Sequence, residues 1–384
     1  MHIAEQFLAD KLSNRKQLGN LRQLRTVDHS VDFSSNDYLG LARSTELNKI
    51  IQGNYELIQP KRNGSGGSRL LSGNTSFSEE LEEYLAHLFQ SEASLLFNSG
   101  YAANTALLST IPQKGDTILY DELSHASAKD GIRLSFANRY AFRHNNLNDL
   151  EHKLKKAIGR IYIFVESVYS MDGDIAPLEQ IIQLSQKYNS ALIVDEAHST
   201  GIYGKNGNGL CCEKELEQQV FARIHTFGKA MGIHGACVVG SKVLKDFLIN
   251  FSRPFIYTTA MNNHSLLAIH SAFNFLEKNH HLKKELQKKV SYFNLLLSDT
   301  FGEDELYHHI PSKSPIQALI IQGNEKVKNV SNVLQEKGLD VRPILSPTVK
   351  KGQERLRICL HTFNSEKEIQ KLFLEMKSAV QAIQ

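Results

Sequence analysis

Residues 160–198 read RIYIFVESVYSMDGDIAPLEQIIQLSQKYNSALIVDEAH, and this stretch decides the fold. RIYIFVES (160–167) and ALIVDEAH (191–198) are short apolar runs, the pattern of strands buried on both faces. Between them Pro177 to Tyr188 carries Leu178, Ile181, Ile182 and Leu184 on one stripe, the spacing of an amphipathic helix. Strand, helix and strand in so short a span form the unit from which parallel sheets are built. The alternation continues outward, with SLLFN (94–98) and DTILY (116–120) upstream and RIHTF (223–227) and GACVVGS (235–241) downstream. The middle of the chain is therefore expected to be one α/β domain.

Other elements are legible from their ends. Ser76-Phe77-Ser78-Glu79 offers a capping box ahead of Leu81, Tyr84, Leu85 and Leu88 at helical spacing. Ser365-Glu366-Lys367-Glu368 offers another ahead of Ile369, Leu372, Phe373, Met376 and Val380. PIQALIIQ (315–322) and RLRICL (355–360) read as strands, so residues 285–384 are expected to form a smaller α+β domain. The large domain is expected over 41–284, with the segment 1–40 packing near the small one.

Composition narrows the function classes. The chain has 384 residues, 41% of them hydrophobic, enough for a sizeable core. Its 44 basic and 41 acidic residues leave a net charge of +3, which creates no global field drawing in nucleic acid or an anionic membrane. The polar start MHIAEQFLADKLSNRK lacks the apolar core of a signal peptide, and no run reaches the length of a membrane span, so a cytoplasmic protein is expected. Cys211, Cys212, Cys237 and Cys359 form no Cys-x-x-Cys pair or zinc-type cluster; neither a disulfide framework nor a metal is expected.

In an open α/β sheet, ligands bind beyond the carboxyl ends of the strands, and the chemistry-bearing residues of this chain gather there. After SLLFN, the small-residue turn Ser99-Gly100-Tyr101 opens a helix whose N-terminus can hold a phosphate, while Tyr101 can cover a ligand; by itself such a segment is more often an ordinary strand-to-helix turn. His125 follows DTILY and can stack on a flat aromatic ligand, and Ser170 follows RIYIFVES with a further hydroxyl. Asp195 ends a wholly apolar run, where a carboxylate is costly unless a cation pairs with it. A protonated pyridine nitrogen is such a cation, and His198 lies close enough in sequence to bond the phenolate oxygen of the same ring. Lys229 follows RIHTF among Gly228, Ala230 and Gly232, a setting that favours a lysine acting as nucleophile and base, with Thr226 near it as a phosphate ligand. The rival reading of Asp-Glu-Ala-His as a helicase motif needs an upstream G-x-x-x-x-G-K-[ST] loop, which the sequence does not contain.

These motifs together resemble the α-oxoamine synthase family of fold-type-I pyridoxal-phosphate (PLP) enzymes. The likeness runs from about residue 30 onward through FSSNDYLGLA (33–42), GSGGSRLLSGNTSFSEELE (64–82), NSGYAAN (98–104), DELSHAS (121–127), ESVYSMDGDIAPL (166–178), DEAHSTG (195–201), HTFGKAMGIHGA (225–236) and RPFIYTTA (253–260). It implies a mostly parallel central sheet of seven-stranded type flanked by helices. It further implies that Gly100, Tyr101, His125, Ser170, Asp195, His198 and Thr226 surround PLP and that Lys229 holds the cofactor through its amine. Catalytic roles fall to Lys229, His125, Asp195 and His198. Family members are homodimers with shared sites, so Thr258 and Thr259 are expected to reach the neighbouring subunit's phosphate. The implied reaction is the decarboxylative condensation of L-alanine with a pimeloyl thioester, on CoA or a carrier protein, in biotin biosynthesis. The alternative is a sister synthase using glycine or serine with another acyl-CoA.

The resemblance also implies substrate contacts from Arg22 and Thr348. One departure stands out: where the family places an arginine for the amino-acid carboxylate, in Ile-Arg-Pro-Pro-Thr-Val, this chain has Leu345. A bidentate carboxylate clamp needs a guanidinium, so Arg342 and Arg355 become the candidates.

Overall fold

The computed structural model describes residues 2–24, 26, 30–59, 61–301 and 308–382. In chain order its elements are α1 (Ile3–Gln17), β1 (Val31–Asp32), α2 (Thr45–Leu57), α3 (Ser76–Leu88), β2 (Ala93–Phe97), α4 (Gly100–Thr110), β3 (Thr117–Asp121), α5 (Ala126–Leu134), β4 (Asn138–Phe142), α6 (Leu147–Leu154), β5 (Ile161–Glu166), α7 (Leu178–Lys187) and β6 (Ala191–Asp195). There follow α8 (Leu210–Glu213), β7 (Ala222–Thr226), β8 (Ala236–Gly240), α9 (Lys242–Phe251), α10 (Arg253–Ile256), α11 (Asn263–Lys278) and α12 (His281–Phe301). The last are β9 (His308–Ile310), β10 (Ile316–Ile320), α13 (Asn324–Glu336), β11 (Leu339–Asp340), β12 (Arg342–Ile344), β13 (Arg355–Cys359) and α14 (Glu366–Gln381). None of the described helices is long and apolar enough to cross a membrane.

The chain divides into two compact units, Asn36–Ser170 with Ile175–Lys284, and Met1–Ser35 with Met171–Asp174 and Glu285–Gln384. The larger unit holds a seven-stranded sheet in the order β2-β8-β7-β6-β5-β3-β4. Pairs from β7 through β6, β5 and β3 to β4 are parallel, while β8 runs antiparallel to both β2 and β7. Both faces are buried, as the apolar runs require. Ile118, Phe164 and Ile193 pack into one core with Leu107, Ile132 and Leu248, and their neighbours Leu119, Val165 and Val194 pack into another with Leu150, Ile181 and Leu210. This alternation is the two-residue period of a strand with a helical layer on each side.

All six apolar runs form strands, five of them within a residue of the expected bounds, while the strand in ALIVDEAH stops at Asp195, three residues before the end of the run. The seventh, β4, has the sequence NRYAF; it sits at the sheet edge with its central residues exposed, so it carries no apolar signal. The first capping box is displaced by one residue: Thr75 caps α3, its side chain accepting the Ser78 amide at 3.1 Å while Ser78 Oγ accepts the Thr75 amide at 3.1 Å. The box at Ser365 forms as expected, with Glu368 reaching back to the Ser365 amide at 2.7 Å.

The smaller unit contains a four-stranded antiparallel sheet, β12-β13-β10-β9, and the short parallel pair β1-β11. Its core joins Phe33, Leu319, Val330, Leu356, Leu372 and Phe373. The Met171–Asp174 turn belongs to this unit: Ser312 Oγ donates to the Gly173 carbonyl at 2.8 Å, and Arg355 forms a buried ion pair with Asp172.

Candidate active site

The site is built where strands of the large sheet end. Asp195 closes β6 and Glu166 closes β5, and the parallel register sets the two carboxyl residues side by side. Lys229 comes three residues after the end of β7. Two strands ending in acids at matched positions, with an amine on the next loop, follow from where each apolar run stops.

Asp195 is buried and served by two donors. Its Oδ1 accepts the Ala197 amide at 2.9 Å and its Oδ2 accepts the Asn104 side-chain amide at 2.7 Å. Hydrogen bonds to an ionised group contribute about 1.5–3 kcal/mol each, which offsets part of the cost of burying the carboxylate and leaves it suited to a cationic partner. The adjoining Glu196 serves the backbone instead. Its carboxylate accepts the amides of Leu210 and Cys211 at 2.9 and 2.7 Å and pins the start of α8.

His125 caps α5, and its backbone N–H donates to Glu166 Oε1 at 2.5 Å. Burial lowers the basicity of the imidazole; Asp195 opposes that effect and Lys229 adds to it. The same two residues act on Glu166, whose carboxyl is pushed up to about 8, first by burial and then by Asp195, with Lys229 pulling back. Asp195 and Lys229 thus share one electrostatic neighbourhood, centred on the end of β5 and the start of α5.

Lys229 Nζ donates to Thr226 Oγ1 at 3.3 Å. Thr226 in turn packs against Gly100, the first residue of α4: a Cβ added at Gly100 would lie 2.3 Å from Thr226 Cγ2. Ser99 caps that helix, its side chain accepting the Ala102 amide at 3.2 Å. Asn98, just before it, donates to Thr258 Oγ1 at 3.2 Å and to the Thr259 carbonyl at 2.9 Å, so both threonines lie beside the α4 N-terminus of their own chain. Tyr101 is half exposed, and its hydroxyl donates to Asp130 of α5 at 2.5 Å. His198 is buried and joined through Nδ1 to the hydroxyl of Tyr38 at 2.8 Å. Ser170 is buried in the turn after β5.

The substrate candidates all fall in the smaller unit. Arg22 Nη2 donates to Thr348 Oγ1 at 3.4 Å. Arg342 pairs with Asp340 at 2.6 Å, and Arg355 is held by Asp172. Leu345 packs against the apolar core of that unit.

Asn104, Ser127, Glu166 and Tyr38 lie inside motifs the sequence displays, yet nothing in residue type alone separates them from structural neighbours. A signal for Glu166 does exist: RIYIFVE and ALIVD end on acids in the same way, and equal strand ends imply adjacent side chains.

This arrangement fits PLP. A buried carboxylate suits the ring nitrogen, an imidazole lies within electrostatic reach of that carboxylate, and a lysine and a threonine hydroxyl stand against a glycine that leaves room at a helix N-terminus. The sequence matches the family model of "Aminotransferase class I and II" over residues 28–373. The 8-amino-7-oxononanoate synthase of Emericella nidulans is 40% identical over 360 residues, which cover 88% of this chain and 87% of the relative. Among solved structures, 8-amino-7-oxononanoate synthase from Francisella tularensis superposes with a TM-score of 0.79 at 29% identity, covering 93% of this chain and 99% of that one. A serine palmitoyltransferase from S. paucimobilis reaches a TM-score of 0.89 over 100% of this chain and 99% of its own, and at 24% identity that likeness bears on the fold alone. The chain therefore belongs to the aminotransferase class I and II family, with the fold-type-I architecture of its PLP enzymes, and within that family it is an α-oxoamine synthase, a PLP-dependent enzyme of the acyltransferase type.

Proposed function

We propose that the chain condenses L-alanine with a pimeloyl thioester, releasing carbon dioxide and the free thiol and forming 8-amino-7-oxononanoate for biotin synthesis. The observation that carries this reading is the placement of Asp195 at the end of β6 and of Lys229 just beyond the neighbouring β7, with Asp195 held by Asn104 and the Ala197 amide and Lys229 bonded to Thr226 beside Gly100. Relatives named for this activity over most of the chain support the choice of reaction.

When bound, PLP supplies an electron sink for negative charge developing at the amino-acid Cα. Asp195 holds the positive charge at the ring nitrogen, and its two donors fix the carboxylate in the orientation this requires. Lys229 would hold the cofactor through Nζ, and its amine, when free, is the group that would accept the Cα proton and later return one. Thr226, Ser99 and the N-terminus of α4 hold the phosphate, where Gly100 keeps the approach open. His198 and Ser170 bond the polar edge of the ring. His125 would lie beside the cofactor and bond an oxygen of the substrate. Arg22 and Thr348 contact the acyl chain, and Thr258 and Thr259 extend the phosphate site of a second copy in a homodimer.

Leu345 favours one second reading, a sister synthase that uses glycine or serine with another acyl-CoA, because the side chain at the expected carboxylate-clamp position is apolar and packs against an apolar core. Product mass spectrometry with pimeloyl-CoA and alanine, glycine or serine in separate reactions distinguishes the two. The mass of 8-amino-7-oxononanoate from alanine alone supports the first reading. Product from glycine or serine, with none from alanine, overturns it.

A further inference from the structure

Asn104 is buried one helical turn inside α4, and its side-chain nitrogen touches two groups. It lies 2.7 Å from Asp195 Oδ2 and 3.1 Å from Ser127 Oγ. A carboxylate only accepts, so the amide must turn its NH2 group toward Asp195, and the same nitrogen then donates to the serine. Ser127 Oγ also lies 2.7 Å from His125 Nδ1, and because Nδ1 accepts the backbone N–H of the same serine, the hydroxyl donates its proton there. The backbone N–H of Ser127 points at the same atom from 3.2 Å. Two donors converge on Nδ1, so Nδ1 carries no proton. Burial disfavours the doubly protonated ring, and a neutral imidazole that accepts at Nδ1 is protonated at Nε2.

We infer that Asn104 is a positioning residue which, acting through Ser127, fixes His125 as the Nε2-protonated tautomer, so that the ring offers a hydrogen-bond donor and not a base to the substrate oxygen beside it. The inference rests on the reading that His125 faces cofactor and substrate. It adds that one buried amide sets both the acid at the end of β6 and the histidine at the head of α5. Reversing the polarity of that amide reverses the chain of donors: an acceptor at position 104 draws the Ser127 proton toward itself, and the serine oxygen then accepts from His125 Nδ1.

The test is 15N NMR of the full-length holoenzyme labelled in its histidine rings, with the His125 signals identified by their loss in His125→Gln. The expected wild-type pattern at neutral pH is a protonated Nε2 and an unprotonated, hydrogen-bonded Nδ1. In Asn104→Asp the proton population should move toward Nδ1. In Ser127→Ala the Nδ1 resonance should shift as it loses its hydroxyl donor, while Ser127→Thr should keep the wild-type pattern. A wild-type ring protonated at Nδ1 overturns the inference. So do unchanged His125 signals in Asn104→Asp, or in Ser127→Ala where the first variant does not fold. The 15N pattern can be read whether or not the chain makes 8-amino-7-oxononanoate, so failure of the proposed reaction is seen separately, in the product assay.

Discussion

At the scale of single residues, the candidate catalytic residues stand out in the sequence because their chemistry is conspicuous: an acid ending an apolar strand, a lysine among small neighbours. The residues that hold them were not legible, since Asn104, Ser127 and Tyr38 are ordinary polar side chains until the fold brings them within hydrogen-bond reach. Glu166 gives a pH-dependent expectation. Its carboxyl retains a proton in the folded chain up to about 8, whereas an exposed glutamate releases it near 4.5. Between those values the unfolded chain binds fewer protons, so this group's contribution to stability is fully present below the lower value and is lost as pH rises toward the upper one. Glu166→Gln keeps an acceptor for the His125 amide without the titration. Its melting temperature relative to the parent, both measured free of cofactor, should therefore rise from pH 5 to pH 8; a constant difference would count against the buried acid. Gly100 gives a steric expectation. Gly100→Ala forces a methyl group into Thr226, and since overpacking costs about 1–3 kcal/mol, PLP affinity measured by absorbance titration should fall about ten-fold or more.

At the scale of elements, the strands buried on both faces could be read directly because apolar residues dominate their central positions. Strand β4 could not, since an edge strand with exposed central residues has the composition of a loop. Short strands such as β1 and β11 were equally silent: two residues carry no period, and only tertiary pairing defines them. The Met171–Asp174 turn shows what spacing alone misses, because its sequence reads as a simple Asp-Gly turn while Asp172 holds Arg355 in the smaller unit. Removing one partner of a buried ion pair costs about 3–5 kcal/mol. Asp172→Asn should lower stability in urea unfolding by about that amount. A change below about 1 kcal/mol would place the pair in the class of solvated surface bridges. Also in the smaller unit, Ser365→Ala removes the cap of α14 and should cost about 1 kcal/mol.

At the scale of the whole molecule, motif order carried more than any motif alone. Each of Gly100, His125, Asp195 and Lys229 has an ordinary explanation by itself, but they fall at or just after the carboxyl ends of β2, β3, β6 and β7, and parallel strands deliver their carboxyl ends to one edge of a sheet. The substrate arginines lacked such a frame, and among the described residues Arg342 and Arg355 are each taken up by a carboxylate. Assembly as a homodimer with shared sites should appear as twice the monomer mass in sedimentation, with Thr258→Val and Thr259→Val weakening PLP binding. The most direct test of the central claim is to reduce the holoenzyme with borohydride, digest it and map the modified peptide by mass spectrometry. The expected result is a single phosphopyridoxyl group on Lys229, lost together with the visible absorbance in Lys229→Ala. A modification on any other lysine, or an unchanged absorbance in that variant, would contradict it.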